Sequence, residues 1–214
     1  AGAGALEVVL HRFVWSLVFV LLVLAVLRRW AWLRAVFRTP RVVGTFALSA
    51  TLLAGNWLVY IWAVNNDHVL DASLGYFILP LVNVGLGYVF LHERPRPGQW
   101  LAFAIACAGV LWLTVQGGRL PWVALTLAST FGLYDLLRKL APLGALEGLS
   151  LETLLLAPLA ALALAWMTAQ GQGALGRQDT ALLGWLVASG PVTAIPLLLF
   201  AAGARRIPLS MMGI

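Results

Sequence analysis

A single cysteine, eight carboxylates and three histidines are all that this sequence offers to redox, metal or acid–base chemistry. With Cys107 alone there is no disulfide framework and no cysteine-based metal site, and its place in mid-span makes it a packing residue. Charge is scarce as well, at 10% of residues, against 62% hydrophobic residues and a mean hydropathy of +0.93. A soluble domain of this length has no core large enough to hide that much apolar surface. Catalytic motifs are also missing. His92-Glu93 continues as Arg94-Pro95-Arg96, not as HExxH, and Pro95 would break the helix that a zinc motif requires. There is no Gly-x-Ser-x-Gly elbow and no GxxxxGK phosphate cradle, and Asp67 with Asp71 supplies too few ligands for a cation. No metal, no cofactor and no enzymatic activity are expected.

What the sequence has is apolar length. Seven stretches, at 8–27, 42–64, 71–91, 99–115, 121–137, 149–167 and 181–203, approach the ~20 residues a helix needs to cross a bilayer, and an eighth begins at Pro208. The turns at 28–41, 92–98, 138–148 and 204–207 hold 11 of the 14 Lys and Arg. The positive-inside rule places those four turns in the cytoplasm. Trp30, Trp32, Trp100 and Trp122 fall at span ends, where indoles prefer the boundary between water and lipid. A net charge of +6 raises the question of nucleic acid, but the basic residues sit singly or in pairs at helix ends, as orientation and anionic lipid require. The lipid bilayer is the expected partner, and nucleic acid is not.

Self-similarity narrows the class further. Ala5-Leu6-Glu7 recurs as Ala145-Leu146-Glu147, each just ahead of a span, and Ala72-Ser73-Leu74-Gly75 faces Ser210-Met211-Met212-Gly213. The copies lie five spans apart, and an odd number reverses their direction through the membrane. Inverted repeats of this kind build many secondary transporters, with the substrate site near the midplane. The register gives five helices to a repeat: residues 1–117 form a first repeat lacking its first helix, and 118–214 a second lacking its last two, a ten-helix plan truncated at both ends.

Polar side chains at helical spacing mark faces turned away from lipid. Thr45, Ser49, Asn56 and Tyr60 share one face, and Ser73, Tyr76, Pro80, Asn83 and Gly87 another. Thr126, Thr130 and Tyr134 repeat the pattern, as do Ser189, Thr193 and Pro196. Asn56, Tyr60, Tyr76, Pro80, Asn83, Tyr134 and Thr193 are the candidate lining of a substrate path. Such stripes also serve ordinary helix packing, the reading given to Ala102, Ala106 and Gly109. Pro80 in mid-helix frees the carbonyl of Tyr76, which needs protein or a water-filled cavity to face. Glu7 and His11, at i and i+4 with Arg12 adjacent, are a candidate proton relay or gate, to which Asp71 and Glu152 are added. Glu152, one turn inside a span, calls for a partner.

Ala5-Leu6-Glu7 with His11-Arg12, Asn56-Trp57, Trp62-Ala63-Val64-Asn65-Asn66, Ala72 to Phe77, Pro80-Leu81-Val82-Asn83, Glu93-Arg94, Gln99-Trp100, Arg138-Lys139 and Glu152-Thr153 resemble, in order and spacing, the RarD branch of the EamA transporters in the drug/metabolite transporter superfamily. The resemblance implies an all-α, polytopic transmembrane bundle of two inverted five-helix repeats in a bacterial inner membrane. It implies a carrier of small polar or amphipathic compounds, amino-acid-like or amphenicol-like. With no nucleotide-binding motif, the expectation is a secondary-active exporter working by alternating access, with proton as coupling ion and a second copy of the chain as a candidate partner. The alternatives from other classes are a membrane scaffold or subunit, an inactive transporter fragment, and last an integral-membrane enzyme. Three positions depart from the family pattern: Leu79 replaces an asparagine, Asp71 a glutamate, and Asp135 a glycine.

Overall fold

The computed structural model describes residues 4–118, 120–171 and 180–211. Arg119, Arg177 and the Met212-Gly213 end of the repeat match lie outside them. The described residues form helices α1 (Ala5–Leu27), α2 (Ala31–Phe37), α3 (Pro40–Asn65), α4 (Val69–Leu91), α5 (Pro97–Gly117), α6 (Trp122–Leu140), α7 (Ala145–Ala169) and α8 (Thr180–Ala204), then a 3-10 turn at Leu209–Met211, with no strand. Six of these, α1, α3, α4, α5, α7 and α8, are long and apolar enough to cross a membrane. The protein is a multi-pass, all-α membrane protein. The remaining expected span forms as the continuous 19-residue α6, whose last turns carry Asp135, Arg138 and Lys139. Helix α2 was not foreseen: it folds seven residues of the arginine-rich turn over Val36, which packs with Phe46, Ala141 and Leu151.

The chain divides into two units, and each draws on both halves of the sequence. The first takes residues 1–51 and 141–202, and the second 52–140 and 203–214.

In the first unit, α1 and α7 open alike. Each follows an extended glycine, Gly4 or Gly144, whose carbonyl accepts the N–H four residues on, from Val8 at 3.1 Å and from Gly148 at 2.9 Å. Their shared Ala-Leu-Glu is the first turn of both helices. The two helices pack along each other, antiparallel: Arg29, just past the end of α1, lies 3.5 Å from Glu147 in the first turn of α7, and Val20 packs on Leu149. Helix α8 reaches α1 through Gly190. A Cβ there would lie 2.4 Å from the backbone carbonyl carbon of Trp15, and the Gly190 carbonyl accepts the Ser16 hydroxyl at 3.3 Å. Only glycine permits this approach.

In the second unit α4 packs along α6, and small residues set the distance. Ala124 and Ala128 are buried against Ile78. At either end of the contact stand Gly75, where a Cβ would be 3.2 Å from the Ala124 carbonyl, and Gly132, where one would be 2.6 Å from Val82. Helix α4 stays continuous through Pro80. The 3-10 turn at Leu209, which starts 140 residues after α4 just as α7 starts 140 after α1, packs on α4 near its C-terminal end. The described packing of helix α5 is on α4, through Val110 among others, while Ala102 and Gly109 are exposed, with nothing within 4 Å of a Gly109 Cβ. Ala106, in the middle of the row, is half-buried.

Gly190→Ala should destabilise the protein by about 1–3 kcal/mol, the usual cost of overpacking. Gly184→Ala, with nothing within 4 Å of its Cβ, should leave stability unchanged or slightly raised, since alanine is the better helix former. Thermal unfolding of both variants in detergent checks the contrast.

Candidate functional site

Helix α6 is tied at three levels along its length, all within the second unit. At the first, Asn56 on α3 donates from its side-chain amide to the Leu127 carbonyl and to the Thr130 hydroxyl, both at 2.9 Å. At the second, Asn83 on α4 donates to Oδ2 of Asp135 at 3.0 Å. Both side chains are shut away, Asn83 at 1% exposure and Asp135 at 0%. At the third, Lys139 lies 3.5 Å from Glu93 and donates to the Ile207 carbonyl.

Glu93 is the hub of that last level. Its Oε1 accepts the Leu209 N–H at 2.7 Å and its Oε2 the Ser210 N–H at 2.9 Å, so the carboxylate caps the 3-10 turn at Leu209–Met211. Gly87 leaves room for it, since a Cβ there would lie 2.8 Å from Oε2. Burial alone would raise the Glu93 carboxyl, but the hydrogen bonds from Ser210 and Leu209 and the Lys139 charge outweigh it and hold it below the ordinary value.

The other expected path residues of this unit are spread over several surroundings. Tyr60 and Tyr76 meet edge to face at 6.2 Å, with Tyr76 exposed. Tyr134 is buried beside Phe131, and Pro80 is half-buried in α4. Asp71 pairs with His68 at 2.9 Å, and Trp62 stacks on that imidazole and touches Trp122. Asp71 also borders a cleft of about 450 Å³ between α4, α5 and the start of α6, lined otherwise by groups such as Phe77, Leu113 and Thr114. Of the expected path and gate residues, Asp71 alone borders it.

The first unit holds Thr193, half-buried on α8, and the candidate relay residues Glu7, His11, Arg12 and Glu152. Glu7 and His11 are buried on α1 and Arg12 is half-buried. Trp15 donates its indole N–H to Nδ1 of His11 at 3.2 Å. An indole nitrogen only donates, so Nδ1 is an acceptor and the ring is neutral, with its hydrogen on Nε2. Glu152, fully buried, accepts a hydrogen bond from Ser49 across from α3. In the sequence Ser49 belongs to a polar stripe and Lys139 to a basic turn, and neither pattern carries the identity of its partner.

The family model of the EamA-like transporter family matches residues 1–115. The chain belongs to the EamA-like transporter family. It is 45% identical over 212 residues to "Protein RarD" of Streptomyces exfoliatus, covering 99% of this chain and 67% of the relative. Identity is 46% over 212 residues to an uncharacterised transporter of Pseudomonas aeruginosa (98% and 70% covered) and 37% over 217 residues to the "Chloramphenicol-sensitive protein RarD" of that organism (98% and 71%). No solved structure matches. This is a RarD-type membrane transporter of the drug/metabolite transporter superfamily.

The depressed Glu93 carboxyl fixes the sign of a pH effect. Its contribution is complete above the unfolded value, near 4.3, and is lost as pH falls through the lower folded value. At neutral pH, Glu93→Gln should weaken the cap by about 1–3 kcal/mol, as expected for hydrogen bonds to a charged group. Hydrogen exchange at Leu209 and Ser210, corrected for intrinsic rate, should speed up in this variant at pH 7 and in the wild type only in acid.

Proposed function

We propose that this RarD-type protein is a secondary-active exporter of small amphipathic or polar metabolites and drugs, of the amino-acid-like or amphenicol-like kind. It works by alternating access between inverted repeats at 1–117 and 118–214. The observation that carries this reading is that matching segments run opposite ways: α1 and α7 share their first turn and capping glycine yet pack antiparallel. Two inverted copies supply two near-equivalent packings that exchange by rocking, which is the mechanical requirement of a carrier. The name of the chloramphenicol-sensitive relative supports an amphenicol among the substrates.

In this reading the protein sits in the bacterial inner membrane with 28–41, 92–98, 138–148 and 204–207 on the cytoplasmic side. The substrate path runs past Asn56, Tyr60, Tyr76, Pro80, Asn83, Tyr134 and Thr193, and proton is the coupling ion. Glu7, His11, Arg12, Asp71 and Glu152 relay the proton or gate the path. The ties that Asn56 and Asn83 make to α6 then belong to a closed conformation, and opening the path releases their amides to substrate. The protein works as a homodimer.

Inverted membrane vesicles from cells expressing the protein should accumulate labelled chloramphenicol, or a member of an amino-acid panel, several-fold over control vesicles when acidified inside. A protonophore should abolish the accumulation. Accumulation absent for the whole panel, or indifferent to the gradient, would overturn the assignment.

A further inference from the structure

The pair formed by Asp135 and Asn83 holds two loose ends. The Asn83 amide nitrogen bonds Asp135 Oδ2, yet Asp135 Oδ1 and Asn83 Oδ1, both buried, have no hydrogen-bond partner among the described residues. Both loose atoms are acceptors in the ionised pair, and an acceptor cannot satisfy an acceptor. We propose that Asp135 and Asn83 form a proton-binding site, in which a hydrogen on Asp135 Oδ1 donates to Asn83 Oδ1 and closes a two-bond ring between acid and amide. The inference rests on the transporter reading for its purpose and deepens it by naming where the coupling proton rides.

The surroundings favour a proton over a bound metal or a neighbouring cation. Hard cations take six or more oxygen ligands, and this contact offers two free oxygens, with Gly132 pressed so close that a Cβ there would lie 3.2 Å from Asn83 Oδ1. No group of three His, Cys, Asp or Glu able to hold a metal occurs among the described residues. The charged neighbours are accounted for on each packed element. On α4 the sole carboxylate, Asp71, lies three turns away and pairs with His68. The α4–α5 turn carries His92, Arg94 and Arg96 besides Glu93, which is spent on Leu209, Ser210 and Lys139, while residues 52–65 of α3 and the whole of α5 hold no charged residue. On α6, Lys139 is held by Glu93, and the buried Arg138 makes no hydrogen bond to Asp135. The 3-10 turn contributes Leu209, Ser210 and Met211, none charged. A carboxylate in such a place has one neutral amide to offset the loss of water, whereas the neutral acid satisfies every atom of the pair.

The cycle follows. With α4 and α6 in contact the acid is neutral and both hydrogen bonds are made. When the helices part and water enters, the O–H···O bond breaks, the proton leaves to water, and Asp135 remains as a solvated carboxylate. Closing the contact again requires the proton back. One proton is bound and released per separation of α4 from α6.

The chain has four aspartates, Asp67, Asp71, Asp135 and Asp179, so labelling aspartate alone with carbon-13 at the side-chain carboxyl leaves a short spectrum. In lipid vesicles at pH 7, one of the four signals should have the shift of a neutral carboxylic acid. Asp135→Asn, which rebuilds both bonds as an amide pair, should remove that signal alone. If this variant does not fold, the Asp67→Asn, Asp71→Asn, Asp179→Asn triple variant leaves Asp135 as the only aspartate and makes the assignment by itself. A carboxylate shift for Asp135 at pH 7, or one that moves on adding sodium, overturns the proposal. Transport with an ionised Asp135 would sink the proton site and leave the carrier reading standing. A neutral Asp135 in a protein that transports nothing would uphold the pair and sink the carrier.

Discussion

In hydrocarbon a polar group has no water to return to, so each one drawn into a helix contact must find its partner within the protein. That constraint organises the second unit. Helix α6 bears Thr130, Asp135 and Lys139 at intervals of about one turn, and an amide from α3, an amide from α4 and a carboxylate from the turn after α4 each come to meet one of them. The apolar residues between these levels bring α6 close but do not fix its rotation, since lipid tails are as apolar as leucine. The polar ties fix it. Gly132 leaves room for them: a Cβ there would lie 2.6 Å from Val82 and 3.2 Å from Asn83 Oδ1.

The first unit shows how one short sequence meets two fates. Gly-Ala-Leu-Glu starts α1 and α7 with the same glycine cap and the same hydrogen bond, because a first turn is decided locally. What lies around each copy then differs. Glu7 is buried, with His11 one turn on, while Glu147 is paired with the largely exposed Arg29. A shared helix start thus leaves each carboxylate free for its own surroundings, and two like segments acquire different partners.

Local physics also marks how much was legible beforehand. Span positions follow from the length of apolar runs, and the structure places helix boundaries within a few residues of them, as at α4 and α7. The polar stripes hold buried residues, Ser49, Asn56 and Asn83, and exposed ones, Ser73 and Tyr76. Which partner each would meet was not legible, because Ser49 with Glu152, or Asn56 with Thr130, joins residues separated by 103 and 74 positions. No periodicity encodes such a pairing. Asp135 stood out only as a departure from the family pattern, with nothing to say that Asn83 would face it. Helix α2 escaped because seven residues within an arginine-rich turn give too short a signal.

The two acid–base sites differ in what a proton does to them. At His11, Nδ1 already accepts the Trp15 N–H, so adding a proton there costs a hydrogen bond in a place where replacements are scarce. At Asp135 the proton supplies the one hydrogen the pair lacks. Charging His11 therefore loosens its packing, while neutralising Asp135 tightens α4 against α6. A group whose protonation strengthens a helix contact biases the protein toward one packing, which is what coupling a gradient to a conformational change requires. A group whose protonation breaks a contact serves better to pass the proton on. In the proposed reading the relay and the coupling site fall to different residues for that reason.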